Sequence, residues 1–347
     1  MGNITEKEFK DQLKAQQFAG AYLIYGEETY LKDRALAQLR AKVVAKEARE
    51  IDYRFFEGKS VSMDTVLRDC EILPMLGQYR LIVVGDYPFE SSKEISELEA
   101  YLKDASPSTV LVFHYDAVDF DTKGSARFKN AFKVFSKHAA CLKYDKKGER
   151  DLLRYITAYV ERQGKKIAPG AASYFLASVG ADLCTVFNEL DKLCAYASAP
   201  EVTRSDVDAV CIKSLQARVY DISKAVLRGD YDGACRILNT LFEQREQPVI
   251  ILSVIASCFV DMYRAKLARA GGHDLGEVLA AYNYRGREFA LRNASRDSQA
   301  VSVEQLRDCM DILSAADMKL KSTAADARLV LDETLVRLMM TVKGAAR

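Results

Sequence analysis

The sequence predicts an α/β domain followed by all-helical ones, and three observations carry that prediction. Residues 1–143 alternate short β-branched or aromatic runs with longer stretches of helical periodicity, the pattern of a parallel sheet covered by helices. The runs themselves, above all Leu81-Ile82-Val83-Val84 and Thr109–Phe113, lack polar alternation and suit strands buried on both faces. After Lys143 such runs stop, and the rest of the chain reads as one helix after another.

The elements follow in order. MGNITEKEFKDQL opens a helix in which Thr5 and Glu8 form a capping box. This start has neither the basic beginning nor the apolar stretch of a secretion signal, so a cytoplasmic protein is expected. Tyr22–Tyr25 is the first strand, and it delivers the chain to Gly26 and a helix over Thr29–Ala45. The further strands are Ile51–Phe56, Leu81–Val84, Thr109–Phe113 and Ala139–Lys143, with helices Met63–Cys70, Ser92–Leu102 and Ser125–Phe135 between them. KYDKKGER is a charged connector. Residues 150–212 hold three helices, Asp151–Gln163, Gly170–Ser178 and Asp182–Tyr196, broken at Gly164, at Gly180 and around Pro200, with no further strand. From Ser214 on, breaks at Gly229-Asp230, Pro248, Gly271-Gly272 and residues 293–298 leave five to seven helices. Three domains result: 1–143, 144–212 and 213–347.

Composition excludes several classes of function. Fifty Lys and Arg against 49 Asp and Glu leave a net charge of +1, so no overall basic field marks a nucleic-acid binder, a local basic patch stays open, and charge alone decides nothing about partners. The longest apolar run, Val249–Val260, is closed by Asp261 and falls short of the ~18 residues that a bilayer span needs. Its apolar residues surround the helix, which suits burial inside the third domain and partly against neighbouring subunits. Eight cysteines without a C-x-x-C pair read as reduced core thiols, and three scattered histidines supply no metal cluster. No cofactor and no metal is expected.

One motif invites an enzymatic reading. A lysine, Lys32, stands after the first strand and Gly26, where a phosphate loop of the form G-x-x-x-x-G-K-[ST] would carry its own. The loop is degenerate: Leu31 replaces the second glycine, Asp33 replaces the hydroxyl residue that binds magnesium, and Glu27 and Glu28 would repel a polyphosphate. A magnesium-holding Asp-Glu at the end of an apolar strand is missing as well, since Asp86 comes one residue late and is followed by Tyr87. No arginine lies between Arg162 and Arg204 to reach a γ-phosphate from the small helical domain. Lys32 is therefore expected as an exposed helix lysine, and the chain is not expected to be an enzyme by itself.

"AYLIYGEETYLKDRAL", "IDYRFFEGKSVSMDTVLRDCEILPMLGQYRLIVVGDY", "STVLVFHYDAVD" and "VGADLCTVFNELDKLCAYA" together resemble the delta subunit of the bacterial DNA polymerase III clamp loader. "LRGDYDGACRILNTLFEQREQPVIILSVIASCFVDMYRAKLA" extends the resemblance to that family's collar segment. It implies an AAA+ type parallel-sheet domain with a degenerate phosphate loop, a small three-helix lid domain and a C-terminal helical collar. It also implies a role inside the DNA polymerase holoenzyme: binding the sliding clamp and opening it for loading onto primed DNA. The implied partners are the clamp (the beta subunit), ATP-hydrolysing motor subunits and a delta-prime subunit in a pentameric ring. A divergent ATPase using Lys32 and a helical adaptor unrelated to replication are the alternatives.

The resemblance further implies a clamp contact at Pro74, Met75 and Leu76, between the second helix and the third strand. Family members often carry a bulky aromatic in this apolar pair, and here it is Met75-Leu76. On the residues alone, packing of the pair under the sheet edge is the more ordinary expectation. Against it, Pro74 stops the helix, Gly77 and Gln78 permit a turn, and two large apolar residues are left on a connector. Ile72 and Leu73 are expected in the core. Arg285, Arg287, Arg292 and Arg296 are expected to form a solvated face, and Lys143, Lys146 and Lys147 a soluble hinge.

Overall fold

Strands buried on both faces must be apolar throughout, and the five apolar runs of the first 143 residues pair accordingly. The computed structural model describes residues 2–322 and 325–344, in two units, Met1–Lys146 and Lys147–Arg347. The first unit runs α1 (Glu6–Ala15), β1 (Ala21–Tyr25), α2 (Thr29–Val43), β2 (Tyr53–Glu57), α3 (Met63–Cys70), β3 (Arg80–Gly85), α4 (Ser92–Lys103), β4 (Thr109–His114), α5 (Ala126–His138) and β5 (Ala140–Lys143). The strands form one parallel sheet in the order β2-β3-β4-β1-β5. Every residue of β1, β3 and β4 is buried, whereas β2, at the sheet edge, is partly exposed.

Short-range chemistry fixes where the helices begin. Thr5 and Glu8 close the expected capping box on α1, Ser91 and Glu94 close another on α4, and Ser62 and Ser125 cap α3 and α5. Phe9 and Leu13 bury one face of α1, and Ile4 N–H donates to the Cys141 carbonyl, tying the N-terminal segment to β5. Tyr87, Phe89, Phe113, Tyr115, Phe120 and Phe135 share one core, where most ring pairs meet edge-on or tilted and Phe89 stacks on Phe113.

The second unit is almost entirely helical. Its first part holds α6 (Glu149–Arg162), α7 (Pro169–Val179), α8 (Leu183–Tyr196) and α9 (Arg204–Val210). The three expected helices are present, and α9, opened by a Thr203–Asp206 capping box, is an addition. The expectation of no further strand is corrected: β6 (Lys166–Ile167) and β7 (Glu201–Val202) form a two-residue parallel ladder, too short to leave a periodicity in the sequence. Among the described residues seven helices follow: α10 (Leu215–Arg228), α11 (Tyr231–Glu243), α12 (Pro248–Ala270), α13 (Leu275–Ala281), α14 (Glu288–Asp297), α15 (Val303–Ser322) and α16 (Ala327–Lys343).

Helix α12 outruns the apolar stretch seen in the sequence. By length and composition alone its 23 residues could cross a membrane. In the fold it packs against α10, α14 and α15, with Ile251, Leu252, Ile255, Phe259 and Met262 in their common core. Its buried Asp261 accepts a hydrogen bond from the Tyr284 hydroxyl and faces Arg264 at 3.7 Å, so the carboxylate has partners inside protein.

Candidate functional site

Helix α3 buries Met63, Val66, Asp69 and Cys70, and the next inward position would fall near residue 73. The helix stops before reaching it. The Thr109 hydroxyl donates to the Cys70 carbonyl at 2.8 Å, and Arg80 donates two hydrogen bonds to the Asp69 carboxylate at 3.1 and 3.0 Å. Arg80 reaches back to the Ile51 carbonyl at 3.3 Å. This buried fork joins the end of α3, the start of β3 and the approach to β2.

The turn beyond is held from inside by Asp52, which has no exposed surface. Its carboxylate accepts three successive backbone N–H groups: Met75 at 2.7 Å on Oδ1, and Leu76 and Gly77 at 2.9 and 2.8 Å on Oδ2. Burial by itself would push the Asp52 carboxyl up, but the three N–H donors, aided by the charge of Arg80, outweigh it and hold it below the usual aspartate value. With the backbone turned inward, the side chains turn outward: Met75 is 73% exposed, Leu76 62%, Leu73 69% and Ile72 48%. Pro74 is half-buried.

Two expectations are settled here. Met75 and Leu76 are not core. The placement of Ile72 and Leu73 in the core is corrected: α3 ends at Cys70, and the chain leaves the sheet edge before either residue can turn inward. Four large apolar side chains therefore stand in solvent on one connector. Sequence reasoning missed Asp52 altogether, although an acidic residue at the mouth of the "IDYRFF" run was the available signal.

The degenerate phosphate loop is filled by the chain's own groups. Gly26 has φ +116°, and a Cβ there would lie 2.3 Å from the Tyr144 carbonyl oxygen. The same carbonyl accepts the Glu28 N–H at 2.9 Å. Leu31 is buried. The expected exposure of Lys32 is corrected: it is 2% exposed, and its ammonium donates to the Tyr115 carbonyl at 2.6 Å with Asp116 at 3.5 Å. The first turn of α2 directs it to the C-terminal end of β4, where a carbonyl and a carboxylate offset its desolvation. Asp33 lies 3.3 Å from His114 Nε2. Burial lowers the pKa of His114 and raises that of Asp33, with each partner's charge opposing the shift of the other.

Asp86, the residue weighed as a magnesium ligand, sits at φ +51° and accepts the N–H groups of Asp116, Ala117 and Val118 at 2.9, 3.2 and 3.0 Å. Among the described residues, no group of three or more His, Cys, Asp or Glu is placed to hold a metal ion. In the arginine-rich stretch, Arg292 is spent on Glu149 at 2.5 Å and Arg296 faces Asp297 at 3.4 Å.

Two family models match this chain: the DNA polymerase III delta subunit over residues 22–145, and the C-terminal domain of the same subunit over residues 216–338. The chain belongs to the DNA polymerase III delta subunit family. A DNA polymerase III subunit delta of Bacillus subtilis is 25% identical over 336 residues, covering 94% of this chain and 95% of its own. A probable DNA polymerase III subunit delta of Aquifex aeolicus is 21% identical, covering 85% of this chain and 84% of its own. Among solved structures, the Bacillus subtilis DNA clamp loader delta protein matches with a TM-score of 0.64 and 23% identity, covering 96% of this chain and 99% of that one. The delta-family fold thus runs through both units, from the parallel sheet to the helical C-terminal part.

Proposed function

We propose that this delta-family chain binds the sliding clamp and opens it, so that the clamp can be loaded onto primed DNA during chromosomal replication. One observation carries the reading: Met75 and Leu76, large and apolar, stand in solvent on a turn whose backbone is tied to buried Asp52. Apolar side chains left exposed on a fixed turn are the geometry of a small hot spot that inserts into a partner's pocket. Pro74 ends the approach to it, and exposed Ile72 and Leu73 widen the apolar contact.

The role is mechanical in this reading, without catalysis by the chain itself. Lys32, Asp86 and the Glu28 N–H, which an active phosphate site would aim at nucleotide and magnesium, are engaged by Tyr115, by residues 116–118 and by Tyr144. Nucleotide hydrolysis then belongs to motor subunits that share a pentameric ring with this chain and a delta-prime subunit, in the cytoplasm. Residues 144–212 serve as the lid and residues 213–347 as the collar through which the ring assembles.

Surface plasmon resonance of the purified chain against the sliding clamp of the same organism tests the proposal. The parent should bind, and a variant carrying both Met75→Asp and Leu76→Asp should not, with its circular dichroism unchanged. Absence of binding by the parent sinks the function. Equal binding by both proteins sinks the choice of site.

A further inference from the structure

A surface loop that must present two apolar side chains faces an entropic difficulty, because each flexible residue fixed at the moment of binding weakens the complex. The turn at residues 74–77 meets this difficulty in an uncommon way. Three consecutive N–H groups converge on one carboxylate that is fully buried, and that carboxylate comes from a different element, 23 to 25 positions earlier in the chain. Successive N–H groups wrapped on an anion make a rigid concavity, and here the anion is part of the chain.

We propose that Asp52 is a positioning residue for the clamp contact, holding the turn before any partner arrives in the shape that puts Met75 and Leu76 outside. This rests on the proposed clamp contact. Asp52 never reaches the partner itself, since its carboxylate is covered by the turn it holds. Its neighbours strengthen the assignment. Asp52 N–H donates to the Ala48 carbonyl at 2.8 Å and its own carbonyl accepts Leu81 N–H at 2.8 Å, so the anion is fixed to β3 and cannot follow a loosened loop. Met75 is bonded through one carboxylate oxygen, Leu76 and Gly77 through the other. An asparagine can therefore keep the Leu76 and Gly77 bonds with its carbonyl oxygen while its amide group faces the Met75 N–H.

The test compares full-length parent, Asp52→Asn and Asp52→Ala for clamp affinity and for hydrogen exchange at the amides of residues 75–77 in the free chain. We expect D52A to exchange those amides at least about tenfold faster and to bind the clamp roughly thirtyfold more weakly. D52N should recover most of both losses, to within about threefold to fivefold of the parent. A purely structural role for Asp52 would lower thermal stability without selectively speeding those three amides. Should D52A fail to fold, Asp52→Ser, whose short hydroxyl cannot span the three N–H groups, takes its place, and faster exchange at residues 75–77 with parental clamp affinity in either variant overturns the proposal. Loss of binding in the Met75→Asp, Leu76→Asp variant with parental binding in D52A removes the role of Asp52 alone. Unchanged binding in that double variant removes the clamp contact on which the role depends.

Discussion

Replacing Lys32 by methionine removes the ammonium and keeps most of the side-chain shape, so it separates a structural lysine from a nucleotide-binding one. In the fold, Lys32 is 2% exposed and its charge meets one carbonyl at 2.6 Å and a partly exposed carboxylate at 3.5 Å. Removing the donor leaves the Tyr115 carbonyl short of a partner, a cost of about 1–3 kcal/mol. Against this stands the relief of a buried charge, which often makes hydrophobic replacement neutral or better. Asp116 stays hydrated, being 44% exposed. The net loss for Lys32→Met should be about 0–2 kcal/mol. Lys32→Ala adds the lost burial of about three methylenes at ~0.8 kcal/mol each, plus the cavity they leave, for a total of about 3–5 kcal/mol. Urea unfolding followed by circular dichroism reads both differences. Magnesium-ATP at millimolar concentration should leave every midpoint in place, whereas a ligand present at about a hundred times its Kd would add ~2.7 kcal/mol. ATP stabilisation of the parent that disappears in Lys32→Met would refute the structural account, and so would equal costs for the two substitutions.

Arg80→Ala breaks both bonds to buried Asp69 and leaves that carboxylate only the more distant Arg54, at 3.7 Å, so unfolding measurements should show a loss toward the lower end of about 3–5 kcal/mol; a loss under 1 kcal/mol would mean the fork is not a structural anchor. Asp52 titrates below its ordinary value of 3.8, so its contribution to stability is complete above that value and disappears as the pH falls through the lower folded value. The stability gap between parent and Asp52→Asn should accordingly be flat through neutral pH and close only in strong acid, and a gap that closes near neutrality would contradict the assignment. Gly26→Ala combines φ +116° with a Cβ 2.3 Å from the Tyr144 oxygen, and strain alone should cost about 1–3 kcal/mol, visible as a lowered unfolding midpoint.

Burial on both faces is what made the sheet legible in the sequence. β1, β3 and β4 have no solvent side, so their residues form uninterrupted apolar runs, and the expected strands agree with the observed ones to within a residue or so. At the edge strand β2 the agreement loosens: the expected Ile51–Phe56 begins two residues before Tyr53, because the N–H groups of Ile51 and Asp52 still bond back to the Ala48 carbonyl in the turn that precedes the strand. Capping chemistry would have revealed α9, since Thr203 and Asp206 close a box that the sequence already contains. The site was legible only in part. Spacing placed Pro74, Met75 and Leu76 on a connector, but whether such residues turn in or out depended on Asp52, far away in the chain. Lys32 failed for the same reason, its acceptor lying 83 positions further on. Pairings of that kind are set by topology, and local periodicity carries no trace of them.

Two aspartates, Asp52 and Asp86, each take up three successive backbone N–H groups of another segment. A phosphate loop depends on backbone N–H groups that stay free until an anion arrives. In this chain, N–H groups at residues 75–77 are given to Asp52, those at 116–118 to Asp86, and that of Glu28 to the Tyr144 carbonyl. The anions and acceptors are supplied internally and are present as soon as the unit folds. The exposed Met75-Leu76 turn is thus ordered by a group of the chain itself. On the clamp-binding function proposed above, control over when that surface meets a partner would have to come from whatever covers it. Under that proposal the apolar turn stands in its binding shape before any partner arrives, so no ordering cost is left for the moment of contact.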